Sequence, residues 1–147
     1  MIIAVVDGMG GSIGTQIVLQ LRLAMPEETE IMALGTNAIA TSGMMKAKAT
    51  RGATGENAIA FSIGKADIIM GSLSVVVPNS MMGEVTPAIA TAVASAPGRK
   101  ILLPVSNPPL DILGIAKKPL QQLIRESVAL VKEHLGLPRE PEEEADV

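Results

Sequence analysis

The sequence predicts a three-layer α/β fold, a mainly parallel sheet of four to five strands with helices on both faces. Three observations carry this reading. Short, predominantly apolar runs recur along the chain (MIIAVV, EIMAL, ADIIM, ILLPV), the pattern of strands covered on both faces. Segments with apolar residues at helical spacing separate them. The first run also passes through a turn bearing Gly8, Gly10, Gly11 and Gly14 directly into such a segment. Strand, glycine turn and helix in that order open a βαβ unit, whose right-handed crossover makes the flanking strands parallel.

Met1 to Val6 forms the first strand, closed by Asp7. In the helix that follows, Ser12 is the expected cap, and Ile13, Ile17, Leu21 and Ala24 make one stripe that Val18 and Met25 widen before Pro26 ends it. Glu30 to Leu34 reads as the second strand and Ala38 to Ala49 as a second helix. Arg51 to Gly55 reads as an interruption in which Thr54 caps a helix from Glu56 to Lys65. Ala66 to Met70 is the third strand, and Leu73 to Val77 is either a short extra strand or a buried loop. Thr86 and Pro87 supply cap and first position of a helix ending near Ala96. Ile101 to Val105 is the fourth main strand, and Leu110 to Lys118 is loop with room for a short strand near Ile112. A last helix from Pro119 carries Leu120, Leu123, Ile124, Val128, Val131 and Leu135 on one stripe, stopped by Gly136 and Pro138. Residues 1–138 are expected to form a single nucleotide-binding-like domain, with 139–147 as an acidic flexible tail.

Composition narrows the function classes. Cysteine is absent, which removes thiol chemistry and cysteine-ligated metal, and no metal site is expected. Phe61 is the only aromatic residue, so no stacking platform for single-stranded nucleic acid exists. The net charge of −3 belongs to the tail: residues 139–147 hold five acids and one base, leaving 10 acids and 11 bases elsewhere. That balance argues against a nucleic-acid partner. No apolar segment approaches the roughly 20 residues of a membrane span, and with no basic leader before the first strand a cytoplasmic protein is expected. With 48% hydrophobic and only 18% charged residues, a homo-oligomer is expected, with Met44-Met45 and Met81-Met82 as candidate contacts.

The candidate ligand site is the edge where the strands end. Gly8, Met9, Gly10, Gly11, Ser12, Ile13 and Gly14 form a turn that presents backbone N–H groups to an anion with few Cβ atoms in the way. Thr36 and Asn37 follow the second strand, where dinucleotide-binding domains place an acid on the ribose hydroxyls. A hydroxyl and an amide there tolerate a 2′-phosphate, so NADP is expected over NAD. Gly71 with Ser72, and Ser106 with Asn107, end two further strands. Lys46, Lys48 and Arg51 could hold a second phosphate. His134, in the last turn of the last helix, suits stabilisation of a helix end better than catalysis.

The opening segment resembles the start of NAD(P)-dependent dehydrogenases of the Rossmann type. ILLPVSNPPLDIL, residues 101–113, is locally similar to the strand and Asn-Pro turn of lactate and malate dehydrogenases, which implies that Asn107 faces the reactive end of a cofactor. Those enzymes continue into a substrate domain with a catalytic histidine and arginines, which this sequence lacks. Over nearly its full length, through DGxGGxIG, ALGTNAIAT, RGATGENAI and NSMxGExTP, the chain is more similar to a small bacterial family of compact Rossmann-like proteins without an assigned function.

Three functions stay open on the sequence: a nucleotide- or dinucleotide-binding sensor or assembly component, a small NAD(P)-dependent oxidoreductase or transferase whose site is completed across a homo-oligomer, and an interaction protein that has lost the ligand. For the second, Arg51, Thr54, Glu56, Asn57, Asn79, Ser80, Glu84 and Asn107 are available. The catalytic candidates are Glu84, Asn107 and Asn79, with Glu84 the first to mutate.

Overall fold

The computed structural model describes residues 1–105 and 110–138. Five strands, β1 (Ile2–Asp7), β2 (Glu30–Gly35), β3 (Arg51–Thr54), β4 (Ile68–Ser72) and β5 (Arg99–Leu103), form one sheet in the order β3-β2-β1-β4-β5. Every pairing is parallel, with Ile3 of β1 opposite both Ile31 and Ile68. Four helices connect them, α1 (Ser12–Ala24), α2 (Ala38–Lys46), α3 (Glu56–Ser62) and α4 (Pro87–Ser95), and a fifth, α5 (Leu120–His134), follows β5.

The alternation of β1 divides the interior into two cores. Ile3 and Val5 pack with Ile17, Leu21, Met44, Ile68, Met70, Ile124 and Val131, which puts α1, α2 and α5 on one face. Ala4 and Val6 pack with Leu34, Ile59, Ile69, Ile89 and Val93, which puts α3 and α4 on the other. The three-layer α/β prediction therefore holds, and its continuous apolar strands are covered on both sides.

Three local expectations are corrected. Arg51 to Thr54 is a strand and not an interruption, because its identity comes from ladder bonds to β2 (Leu34 opposite Ala53) and not from apolar content; it lies on the edge and is largely exposed. Thr54 consequently sits inside β3, and Gly55 precedes α3 without a side-chain cap. Ser12 is the first residue of α1, while the cap position belongs to Gly11 at φ +74°, where an added Cβ would lie 2.6 Å from Ala40 Cα. Of the readings left open, Leu73–Val76 takes the buried-loop one, as a single 3₁₀ turn, and residues 110–118 are loop without a strand.

Thr86 caps α4 ahead of Pro87 as expected. Gly136, at φ +67°, closes α5 with Leu137 N–H donating to the Lys132 carbonyl and Gly136 N–H to that of Glu133. The expected acidic tail, residues 139–147, and the site candidates Ser106 and Asn107 lie outside the described residues. Among the described helices, none is long and apolar enough to cross a membrane.

Candidate functional site

Because all five strands are parallel, their C-terminal ends share one edge of the sheet. Strand order reverses at β1, whose neighbours β2 and β4 carry the chain outward in opposite directions. A crevice outside the strand ends at such a switch point is the usual ligand position in open α/β sheets. Here it lies between the ends of β1 and β4, at Asp7 and Ser72.

Asp7 is 4% exposed. Its Oδ1 accepts the Gly8 N–H at 2.8 Å and its Oδ2 the Gly14 N–H at 2.7 Å, so one carboxylate ties both ends of the glycine turn to the strand. Gly14 permits this approach, since a Cβ there would stand 2.8 Å from both Asp7 Cβ and Met44 Sδ. Burial pushes the carboxyl above its ordinary value; the two N–H bonds act against that rise and the nearby charge of Glu84 adds to it. Gly11 N–H bonds back to the Gly8 carbonyl. The N–H groups of Gly10, Ser12 and Ile13 keep no acceptor among the described residues, and a Cβ on Gly10 would meet nothing within 4 Å.

Ser72, 1% exposed, ends β4. Its hydroxyl makes no hydrogen bond, the one such buried side-chain atom among the described residues. By the alternation of β4, Ser72 shares the face of Ile68 and Met70, the α1 side. Continuing the β1–β4 register two places beyond Val5–Met70 sets Ser72 opposite Asp7, beneath the first turn of α1.

A third component arrives from far along the chain. Residues 77–86 cross from the 3₁₀ turn toward the glycine turn and deliver Glu84. Glu84 Oε1 accepts the Met9 N–H at 3.0 Å, the Thr36 hydroxyl at 2.7 Å and the Asn37 Nδ2 amide at 2.7 Å. These bonds, led by that from Thr36, hold its carboxyl below the ordinary range. Asn37 also donates to the Met9 carbonyl and caps α2 by accepting from Ala40 N–H. Loop and turn are thereby stapled together. The loop is strained: Asn79, Met81 and Met82 lie at φ +64°, +56° and +56°, followed by Gly83 at +88°.

The structure thus brings together residues 8–14, Thr36, Asn37, Gly71, Ser72 and Glu84. It separates the basic group. Arg51 pairs with Glu30 at the start of β2, at the opposite end of the strands, and Lys48 lies in the turn before it. Glu56 accepts a 2.6 Å bond from the Thr86 hydroxyl and so joins the starts of α3 and α4. Thr54 meets Thr41 hydroxyl to hydroxyl at 2.8 Å. The Ser80 hydroxyl donates within its own loop, to the carbonyls of Ser74 and Val77, and the Asn79 backbone closes the same loop onto Val85. Sequence reasoning left Asp7 out of the site, although an acid closing a wholly apolar strand just ahead of a glycine turn marks it. Nothing local announces the partnership of Glu84 with Met9, 75 positions away.

Comparison with known proteins adds a family. The family described as "Domain of unknown function (DUF3842)" matches residues 2–136. No curated protein matches the sequence. Among solved structures the chain is similar to the "dodecameric FMN-dependent Ubix-like Decarboxylase from Escherichia coli O157:H7". Identity is 16% and the TM-score 0.46, over 95% of this chain and 98% of that one. The expectation of NADP or NAD as cofactor is corrected. The similar structure is titled FMN-dependent. Within this chain, the Glu84 carboxylate occupies the hydroxyl–amide position at Thr36 and Asn37 on which the preference for a 2′-phosphate rested.

Proposed function

The chain belongs to the DUF3842 family, and from the geometry of its sheet edge we propose that it binds the phosphate of a nucleotide-type ligand between the glycine turn and the end of β4. The unpartnered hydroxyl of Ser72 carries this reading. A buried polar atom without a partner costs about 1–3 kcal/mol, and a ligand at the switch point would satisfy it. The free N–H groups of Gly10, Ser12 and Ile13 at the start of α1 supply the complementary anion donors. Open space beside Gly10 gives a phosphate room to approach. Binding is proposed without turnover, because Glu84 is engaged in holding the loop.

Ser72→Ala tests it. The substitution removes the orphan hydroxyl, so the free protein keeps or gains stability, by about 1 kcal/mol. Affinity for pyrophosphate and AMP, measured by calorimetry beside flavin mononucleotide and coenzyme A, falls several-fold. Unchanged affinity in the variant, or no binding of any of the four to the folded wild type, overturns the proposal.

A further inference from the structure

We propose that Glu84 is a specificity-determining residue of this site, selecting a nucleotide whose sugar carries a free 2′-hydroxyl and rejecting one phosphorylated there. The inference rests on the phosphate site proposed above. In dinucleotide-binding sheets an acid at the end of the second strand takes the ribose hydroxyls. Here β2 ends in Gly35 followed by Thr36 and Asn37, and no acid stands in that segment. The structure supplies one from another part of the chain, the loop of residues 77–86, at the same end of β2.

The carboxylate is held for this task. Three donors from two segments converge on Oε1, fixing the group against the turn. None of the described residues donates to Oε2, which leaves it as an acceptor for hydroxyl groups. A carboxylate accepts from O–H and repels a second anion. The same oxygen that receives a 2′-hydroxyl therefore excludes a 2′-phosphate, and a 2′-deoxy sugar forfeits the bond. Position supports the pairing of sugar and phosphate sites: Glu84 bonds to Met9, the neighbour of Gly10, and a Cβ on Gly8 would be 3.3 Å from its Oε1. Met81 Sδ covers Gly8 from the same loop, 2.8 Å from that Cβ position, so the loop lines the entrance of the turn.

AMP, 2′-deoxy-AMP and adenosine 2′,5′-bisphosphate share a 5′-phosphate and differ at one position. Calorimetry of the full chain should find AMP bound about tenfold more tightly than either analogue, the loss expected for one charge-assisted hydrogen bond. In Glu84→Gln, which keeps an oxygen for Met9, Thr36 and Asn37, discrimination against the bisphosphate disappears. Equal binding of the three nucleotides by the wild type overturns the proposal, as does discrimination that persists in Glu84→Gln. Binding of pyrophosphate without any nucleotide overturns it and leaves the phosphate site standing. Absence of both removes the phosphate site and this proposal together. If Glu84→Gln fails to fold, the wild-type ratios decide.

Discussion

Two carboxylates of the candidate site respond to pH with opposite sign. Asp7 holds its proton more tightly folded than unfolded, because burial outweighs the bonds from Gly8 and Gly14. Stability therefore falls as pH rises from about 3.8, its ordinary value, through its higher folded value. Glu84 is held below 4.5 by Thr36, Met9 and Asn37, so its contribution is complete above 4.5 and lost as pH drops through the folded value. Denaturant titrations across this range should give a wild-type curve with both slopes. Asp7→Asn should flatten the fall above 3.8, and Glu84→Gln the fall on the acid side. An Asp7→Asn curve parallel to the wild type would exclude burial of Asp7 as the source. Asp7 also shows what sequence conceals: its place at the end of β1 is legible, but its burial depends on the close approach that Gly14, lacking a Cβ, allows.

The element with the clearest conformational cost is the loop of residues 77–86. Left-handed backbone costs a residue with a Cβ about 1–2 kcal/mol, and Met82 bears it while 94% exposed, with little packing to offset it. Met82→Gly should raise the unfolding free energy by about 1 kcal/mol, read as a higher denaturant midpoint at constant m-value; a lower midpoint would mean that the Met82 side chain makes stabilising contacts. The strain is maintained by the Glu84 bonds and by the Asn79 N–H to Val85 carbonyl bond at 2.7 Å. Elements defined by their own composition were legible: α5 through its apolar stripe and terminal glycine, α4 through Thr86 and Pro87. Those defined by a distant partner were not. β3 exists because β2 offers an edge, and residues 73–77 are too short a run for their pattern to decide between strand and buried turn.

At the scale of the molecule, parallel apolar strands with intervening helices were enough to specify the layers, since right-handed crossovers leave few arrangements. The reversal at β1, and with it the meeting of Asp7 and Ser72, required the order of the strands, which no local pattern encodes. That meeting joins two halves of the fold: α1 and β1 supply the glycine turn, β4 and the loop after it supply Ser72 and Glu84. A ligand bridging them binds the folded state alone and opposes global unfolding. At a hundredfold excess over its dissociation constant it adds about 2.7 kcal/mol, which for a chain of this length is a rise in Tm of about 5–10 °C. AMP should produce that rise in the wild type. Gly10→Val separates site from scaffold, because its side chain enters open space beside the turn and costs the free protein little. The variant should melt within about 2 °C of the wild type without ligand and show no rise with it. A full rise in Gly10→Val would place the nucleotide elsewhere on the molecule.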